Sequence, residues 1–127
     1  MCSEFWKELR IVVPEAPTPR ESFAAEELAK YLKRIFGADV GICAGEGRYS
    51  ILIGAPQRNA HTAERIAPEE FRRVCPGPEG LFIRSFGEDT LVLAGSDGDM
   101  ERGVIYAVYE FLERFLGASL AAYSAGD

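Results

Sequence analysis

The sequence predicts an α+β fold. It is a two-layer sandwich in which a mixed sheet of about five strands carries two long helices on one face, in the order β-α-β-β-β-β-α. Three observations lead there. Two segments, one starting at Pro19 and stopping at Gly37, the other running from Gly103 to Gly117, show helical periodicity with recognisable ends. Five short apolar runs are bounded by Gly, Pro and Asp and read as strands. The first long helix separates two strands and so makes a crossover, whereas the last two strands are joined by a four-residue turn and must run antiparallel.

Leu9 to Val13 is the first strand, stopped by Pro14. Pro14 and Pro17 keep the next stretch extended. Thr18-Pro19-Arg20-Glu21 then starts a helix: Thr18 caps a free backbone N–H, Pro19 suits the first helical position, and Glu21 completes a capping box. Ala24, Ala25, Leu28, Ala29, Leu32, Ile35 and Phe36 fall on one face of this helix. Glu26, Glu27, Lys30, Lys33 and Arg34 fall on the other, with Glu26 and Lys30 at ion-pair spacing. Gly37 supplies a left-handed stop.

Asp39 to Cys43 is a second strand, and Ser50 to Gly54 a third. The consecutive branched residues of the third imply a central position covered on both faces. From Ala55 to Pro78 the pattern loosens into two short helices, His61–Ile66 and Pro68–Val74, closed by Pro76-Gly77-Pro78. Leu81–Ser85 and Thr90–Ala94 form a hairpin around Phe86-Gly87-Glu88-Asp89. The second long helix follows, capped by Asp99. Its apolar residues Val104, Ile105, Val108, Tyr109, Phe111, Leu112, Phe115 and Leu116 cover an arc of roughly 160°, against about 100° for an ordinary surface helix. Such a helix calls for cover from more than one neighbour. The tail after Gly117 has no period.

A chain of 127 residues is expected to form one domain, 1–127. Its 47% hydrophobic and 27% charged residues are ordinary for a globular protein, and a net charge of −6 argues against a nucleic-acid surface. No apolar run approaches the ~20 residues needed to span a bilayer, so no membrane partner is expected. MCSEFWKELR has no signal-peptide pattern, which implies a cytoplasmic location if that N-terminus is native and otherwise leaves localisation open. Cys2, Cys43 and Cys75 are odd in number and fit free thiols, Cys43 as a small core residue after its strand.

The residues offer no catalytic set. His61 is the single histidine, in a polar loop; one histidine cannot build a His-rich zinc site or an HExxH helix, no CxxC pair exists to help, and it reads as a surface residue. Gly45-Glu46-Gly47 lacks the third glycine and the lysine of a phosphate loop. Asp97, Asp99 and Glu101 fall short of an EF-hand loop and read as a turn and helix cap. Glu26 with Glu27, and Glu110 with Glu113, could suggest glycosidase carboxylates, yet they lie opposite the apolar arcs and read as solvated charge. Trp6, Tyr49 and Tyr123 are candidates for a sugar-stacking platform, with core or rim as the plainer reading. No catalytic, cofactor-binding or metal-binding residue is therefore assigned, and no cofactor is expected.

Four blocks in order carry a family resemblance: SFAAEELAKYLKRIFG, SILIG, GPEGLFIRSFGEDTLVLAGSD and ERGVIYAVYEFLERFLG. They resemble the small N-terminal domain that precedes the catalytic barrel in α-glucuronidases, β-hexosaminidases and related glycoside hydrolases. The likeness runs from Leu9 to Gly117. It is most specific at Arg102-Gly103 followed by Tyr106, Tyr109, Glu110, Phe111 and Leu112. It implies a sheet packed on two helices, with the helices between sheet and barrel and the catalytic residues in the barrel. The partner expected from it is a catalytic barrel in a longer chain; the wide apolar arc of the second long helix makes a second copy through the helical face the alternative, and a weak glycan contact is compatible with either. The family continues beyond the second helix into an aromatic and Pro-Gly segment, where this chain has Ala-Ser-Leu-Ala-Ala-Tyr. A fragment and a protein that has lost its enzyme both fit, and so does a self-standing carbohydrate-binding module.

Overall fold

The computed structural model describes residues 3–75, 80–95 and 103–116, with side chains from Phe5 to Arg114. Cys2, Asp97, the Asp99 cap, Glu101 and Tyr123 lie outside the described residues. The elements are α1 (Ser3–Glu8), β1 (Leu9–Val12), α2 (Pro19–Phe36), β2 (Gly41–Cys43), β3 (Tyr49–Ile53), α3 (Ala60–Ala63), α4 (Pro68–Val74), β4 (Leu81–Phe86), β5 (Thr90–Gly95) and α5 (Gly103–Leu116). The order matches the sequence reading, with α1 added in front. Six residues are too few for helical periodicity to show in a sequence.

The five strands form one mixed sheet in the order β2-β1-β3-β5-β4. β1 pairs in parallel with β2 and β3, β3 pairs in parallel with β5, and β4 closes the sheet antiparallel to β5. Period-two alternation divides the side chains between two cores. Leu9, Ile11, Ile51, Ile53 and Leu93 face α2 and α5, where they meet Ala25, Leu28, Leu32, Val104, Val108 and Leu112. Val12, Leu52, Val92 and Ala94 face the other way, onto Ile66, Phe71, Cys75 and Phe82. The two long helices thus share one face, as expected, and the short α4 covers part of the other. β3 is buried on both faces, as its sequence implies.

Cys43 corrects one expectation. β2 is an edge strand exposed at all three residues, so Cys43 is exposed and its thiol donates to Gly45 O. The buried thiol is Cys75, at the end of α4.

The ends of α2 form as their residues dictate. Thr18 Oγ1 accepts from Glu21 N at 3.2 Å and Glu21 Oε1 accepts from Thr18 N at 2.8 Å, a complete capping box. Gly37 closes the helix at φ 69°. α2 begins near the end of β3, with Glu21 beside Gly54, and ends beside the first residues of β1 and β3. α5 begins against Gly95, the last residue of β5, and carries Phe111 to Leu91 near that strand's start. Both long helices therefore run opposite to the parallel strands and side by side in one direction.

Candidate functional site

In an open α/β sheet, ligands bind at the carboxyl ends of the strands, where the strand order reverses. Here that point lies between β1 and β3, because the chain leaves β1 for β2 on one side and returns to β3 on the other. Asn59 fills it. Its side chain is buried, and Nδ2 donates to Val12 O at 3.2 Å and Ile53 O at 2.9 Å, the last carbonyls of the two strands. Its Oδ1 accepts from His61 N at 3.0 Å and so caps α3. Thr62, also buried, donates to Gly54 O at 2.9 Å. The chain's own polar groups thus satisfy the backbone that a ligand would otherwise meet.

Beside Asn59 is a crevice of about 280 Å³ lined by Pro14, Glu15, Ala44, Arg58 and His61, among others. Its arginine is engaged. Arg58 forks onto both oxygens of Glu21, each at 3.1 Å, and also donates to Ala16 O at 2.8 Å. Glu21 is only 4% exposed, so one carboxylate serves both the α2 cap and the ion pair that ties α2 to the β3–α3 loop.

His61 lies on α3 with one face in this crevice, part-buried rather than free in a loop. Its Nδ1 is 2.8 Å from Glu46 Oε2 and its Nε2 3.0 Å from Ala44 O. Arg65 grips the same carboxylate in a fork of 3.0 and 2.8 Å. Glu46, His61 and Glu64 place ligand atoms within 4.8 Å of one another. Both oxygens of Glu46 already accept from Arg65, whose fixed positive charge opposes a cation there. The Arg65 hydrogen bond, against a smaller opposing desolvation, holds the Glu46 carboxyl below its ordinary range. The set clamps the β2–β3 loop to α3. Gly45-Glu46-Gly47, read in the sequence only as a failed phosphate loop, supplies the centre of that clamp. No short-range pattern announces it, since Glu46 and Arg65 are 19 residues apart.

The carboxylate pairs are placed differently from each other. Glu27 is not a solvated surface charge: its side chain is 15% exposed, accepts from Tyr109 Oη at 3.0 Å and pairs with Lys30 at 2.8 Å. Lys30 thus bonds Glu27 rather than the expected Glu26. Glu110 pairs with Arg114 at 2.8 Å, and Glu113 is exposed.

At the opposite end of the sheet, by the strand starts, a largely apolar groove of about 290 Å³ is lined by Phe5, Trp6, Phe36, Tyr49, Phe111, Glu88 and Asp89, among others. Trp6 and Tyr49, the two described members of the sequence-derived platform, do meet here. They pack on Phe5 at 5.2 and 4.8 Å with interplanar angles of 79° and 46°, so their faces do not form one flat stacking surface. No helix among the described residues is long and apolar enough to cross a membrane.

The mixed sheet with two long helices on one face and a self-filled strand-end crevice defines an α/β domain. Residues 4–111 match the family described as the glycosyl hydrolase family 67 N-terminus, and the chain belongs to that family. It is an accessory domain of the glycoside hydrolase type. The same fold occurs in a family GH115 4-O-methyl-α-glucuronidase with specificity for decorated arabinogalactans, at a TM-score of 0.67 and 20% identity over 87% of this chain. It occurs again in a GH138 enzyme targeting pectin rhamnogalacturonan II, at a TM-score of 0.56 and 19% identity over 87% of this chain. The chain corresponds to only 14% and 10% of those two proteins. A search of curated proteins finds no match.

Proposed function

We propose that this chain is a non-catalytic domain whose outer helical face packs against the catalytic barrel of an α-glucuronidase-like glycoside hydrolase. The observation that carries this reading is the apolar exposure of that face. Phe23 on α2 is 45% exposed and Tyr106 on α5 is 41% exposed. Phe23 lies one turn before Glu27, and Tyr106 one turn before Tyr109. Each thus lies one turn before a partner of the bond that joins the two helices. Large apolar groups left exposed on neighbouring helices favour a surface that another body covers. The family and the small share of the related enzymes that the chain represents support a barrel as that body.

Two measurements test the reading. The chain, given aryl-glucuronide and aryl-N-acetylhexosaminide substrates, is expected to turn over neither. Turnover that follows the pure protein and disappears on substituting one carboxylate overturns the non-catalytic assignment. In a chain joined to a family 67 catalytic domain, Phe23→Asp with Tyr106→Asp should split one unfolding transition into two. An unchanged single transition overturns the packing. Light scattering on the chain alone distinguishes a monomer of 14.0 kDa from a dimer in which a second copy covers the same face.

A further inference from the structure

The groove at the strand starts lies at the far end of α2 from Phe23, since Phe36 is about 20 Å of helix beyond it. Phe5, Trp6, Leu9, Leu32, Phe36 and Phe111 supply its apolar surface, and Phe36 is 41% exposed. A second cavity of about 410 Å³ adjoins it. Ser85, Leu91 and Phe111 line both, and Ile83 and Arg84 carry the second along β4, so the two form one elongated trough. The charged residues that line the first cavity are Glu88 and Asp89, both exposed in the turn between β4 and β5. Asp89 Oδ1 accepts from Thr90 Oγ1 at 3.0 Å, whereas Glu88 has no ion pair among the described residues. The nearby bases are held elsewhere. Arg48 lies over the Tyr49 ring at 5.6 Å but outside the lining, 3.9 Å from Glu8, and Arg84 is 3.8 Å from Glu70.

Charge and shape together select an occupant. The faces of aromatic rings attract cations, and the two carboxylates act in the same sense. An anionic group is repelled here. A sugar carries a hydroxyl on nearly every ring carbon and would leave most of them without partners on the aromatic wall. An aliphatic side chain beside a cation satisfies both the wall and the acids. The elongated outline suits an extended chain better than a compact molecule. We propose that the trough is the docking site of an extended, basic peptide segment of a partner protein. An aliphatic side chain of that segment packs on Trp6 and Phe36, and a lysine or arginine two residues on meets Glu88. That spacing follows from extended geometry, in which alternate side chains share one side about 6.6 Å apart. The inference does not rest on the barrel, because the trough and the exposed Phe23 and Tyr106 are separate surfaces.

Trp6 is the single tryptophan of the chain and lines the groove, which makes its indole N–H signal a reporter in proton–nitrogen spectra. The probe is the peptide acetyl-Gly-Leu-Ala-Lys-Gly-amide, titrated into the 127-residue chain to millimolar concentration. Two further peptides carry norleucine or glutamate in place of the lysine. The lysine peptide is expected to shift the Trp6 signal saturably. Norleucine should bind about two- to fivefold more weakly, the range for one exposed ion pair, and glutamate more weakly again. Glu88→Gln, a change in an exposed turn, should bring the lysine and norleucine peptides to equal affinity, as should molar salt. No saturable shift, equal binding of all three peptides, or a lysine preference that survives Glu88→Gln overturns the proposal. A Trp6 signal that moves with protein concentration alone assigns the trough to a second copy. Butylammonium binding as tightly as the lysine peptide assigns it to a small amine, and xylo-oligosaccharide binding more tightly assigns it to a glycan; each of these results overturns it as well. The titration uses the chain alone, so its failure leaves the reading of the helical face to its own test.

Discussion

The hydroxyl of Tyr109 on α5 donates to Glu27 Oε1 on α2 across 3.0 Å, while Lys30 holds the other carboxylate oxygen at 2.8 Å. The bond joins residues 82 apart in sequence and ties the two long helices together over the sheet. Burial, then the hydrogen bond to Glu27, pushes the Tyr109 hydroxyl up to about 12. A folded-state value above the unfolded one, about 10, contributes stability that is complete below pH 10 and is lost as pH rises toward 12. Tyr109→Phe should therefore lower the melting temperature at neutral pH and flatten the decline between those two pH values. Parallel alkaline melting curves for the variant and the parent would refute the coupling.

The capping box gives a graded series. Thr18→Ala removes one cap acceptor and should cost about 1 kcal/mol, while the neighbouring Arg20→Ala should cost little. Glu21→Ala should cost more than either. It removes the reciprocal cap bond and leaves the Arg58 fork without its carboxylate. Urea unfolding of the three variants checks the order, and a Glu21→Ala effect no larger than that of Thr18→Ala would remove the shared role.

Gly103 starts α5 against two backbones. A Cβ there would lie 2.7 Å from Gly95 Cα and collide with Gly80 O, and a Cβ on Gly95 would collide with Gly103 in turn. Backbone cannot swing aside as a flexible side chain can. Gly103→Ala is expected to lose about 1–3 kcal/mol, the range for forcing extra volume into a packed site, and to do so by moving α5 off β5. Thermal unfolding at parental temperature would show that the close approach is not needed.

Glu46 makes the acid side of the stability curve testable. Its folded-state value is depressed, chiefly by Arg65, so its contribution is present above the ordinary carboxylate range and is lost as pH falls through the folded value. Glu46→Gln should destabilise the chain at neutral pH and reduce the loss seen on acidification below about pH 4.3. Equal acid sensitivity in the variant and the parent would place the titration elsewhere.

Local signals were legible because local physics decides them. Thr18, Pro19, Glu21 and Gly37 bound α2 through bonds made within a few residues of each terminus. The branched run Ser-Ile-Leu-Ile marks a strand buried on both faces, since only a central strand accommodates apolar residues at consecutive positions. The family likeness was visible for a related reason: Arg102-Gly103 and the apolar residues after it record a helix that must start flush against β5, and Gly103 is where a side chain has no room.

What only the tertiary structure decided are the pairings between distant residues. Glu27 and Glu26 are indistinguishable in sequence, yet Glu27 turns to the α2–α5 seam and leaves the solvated set because the packing of α5 puts Tyr109 above it. Cys43 follows an apolar strand, but strand order puts β2 at the sheet edge, where no second neighbour covers it. Asn59 in a polar loop gives no sign that it will fill the crevice between β1 and β3, which exists only once the chain has reversed its strand order. Helix caps and strand periods are read from neighbours along the chain. The seam, the clamp and the filled crevice depend on which distant groups are brought together, and that is settled by the packing of the whole sheet and its helices.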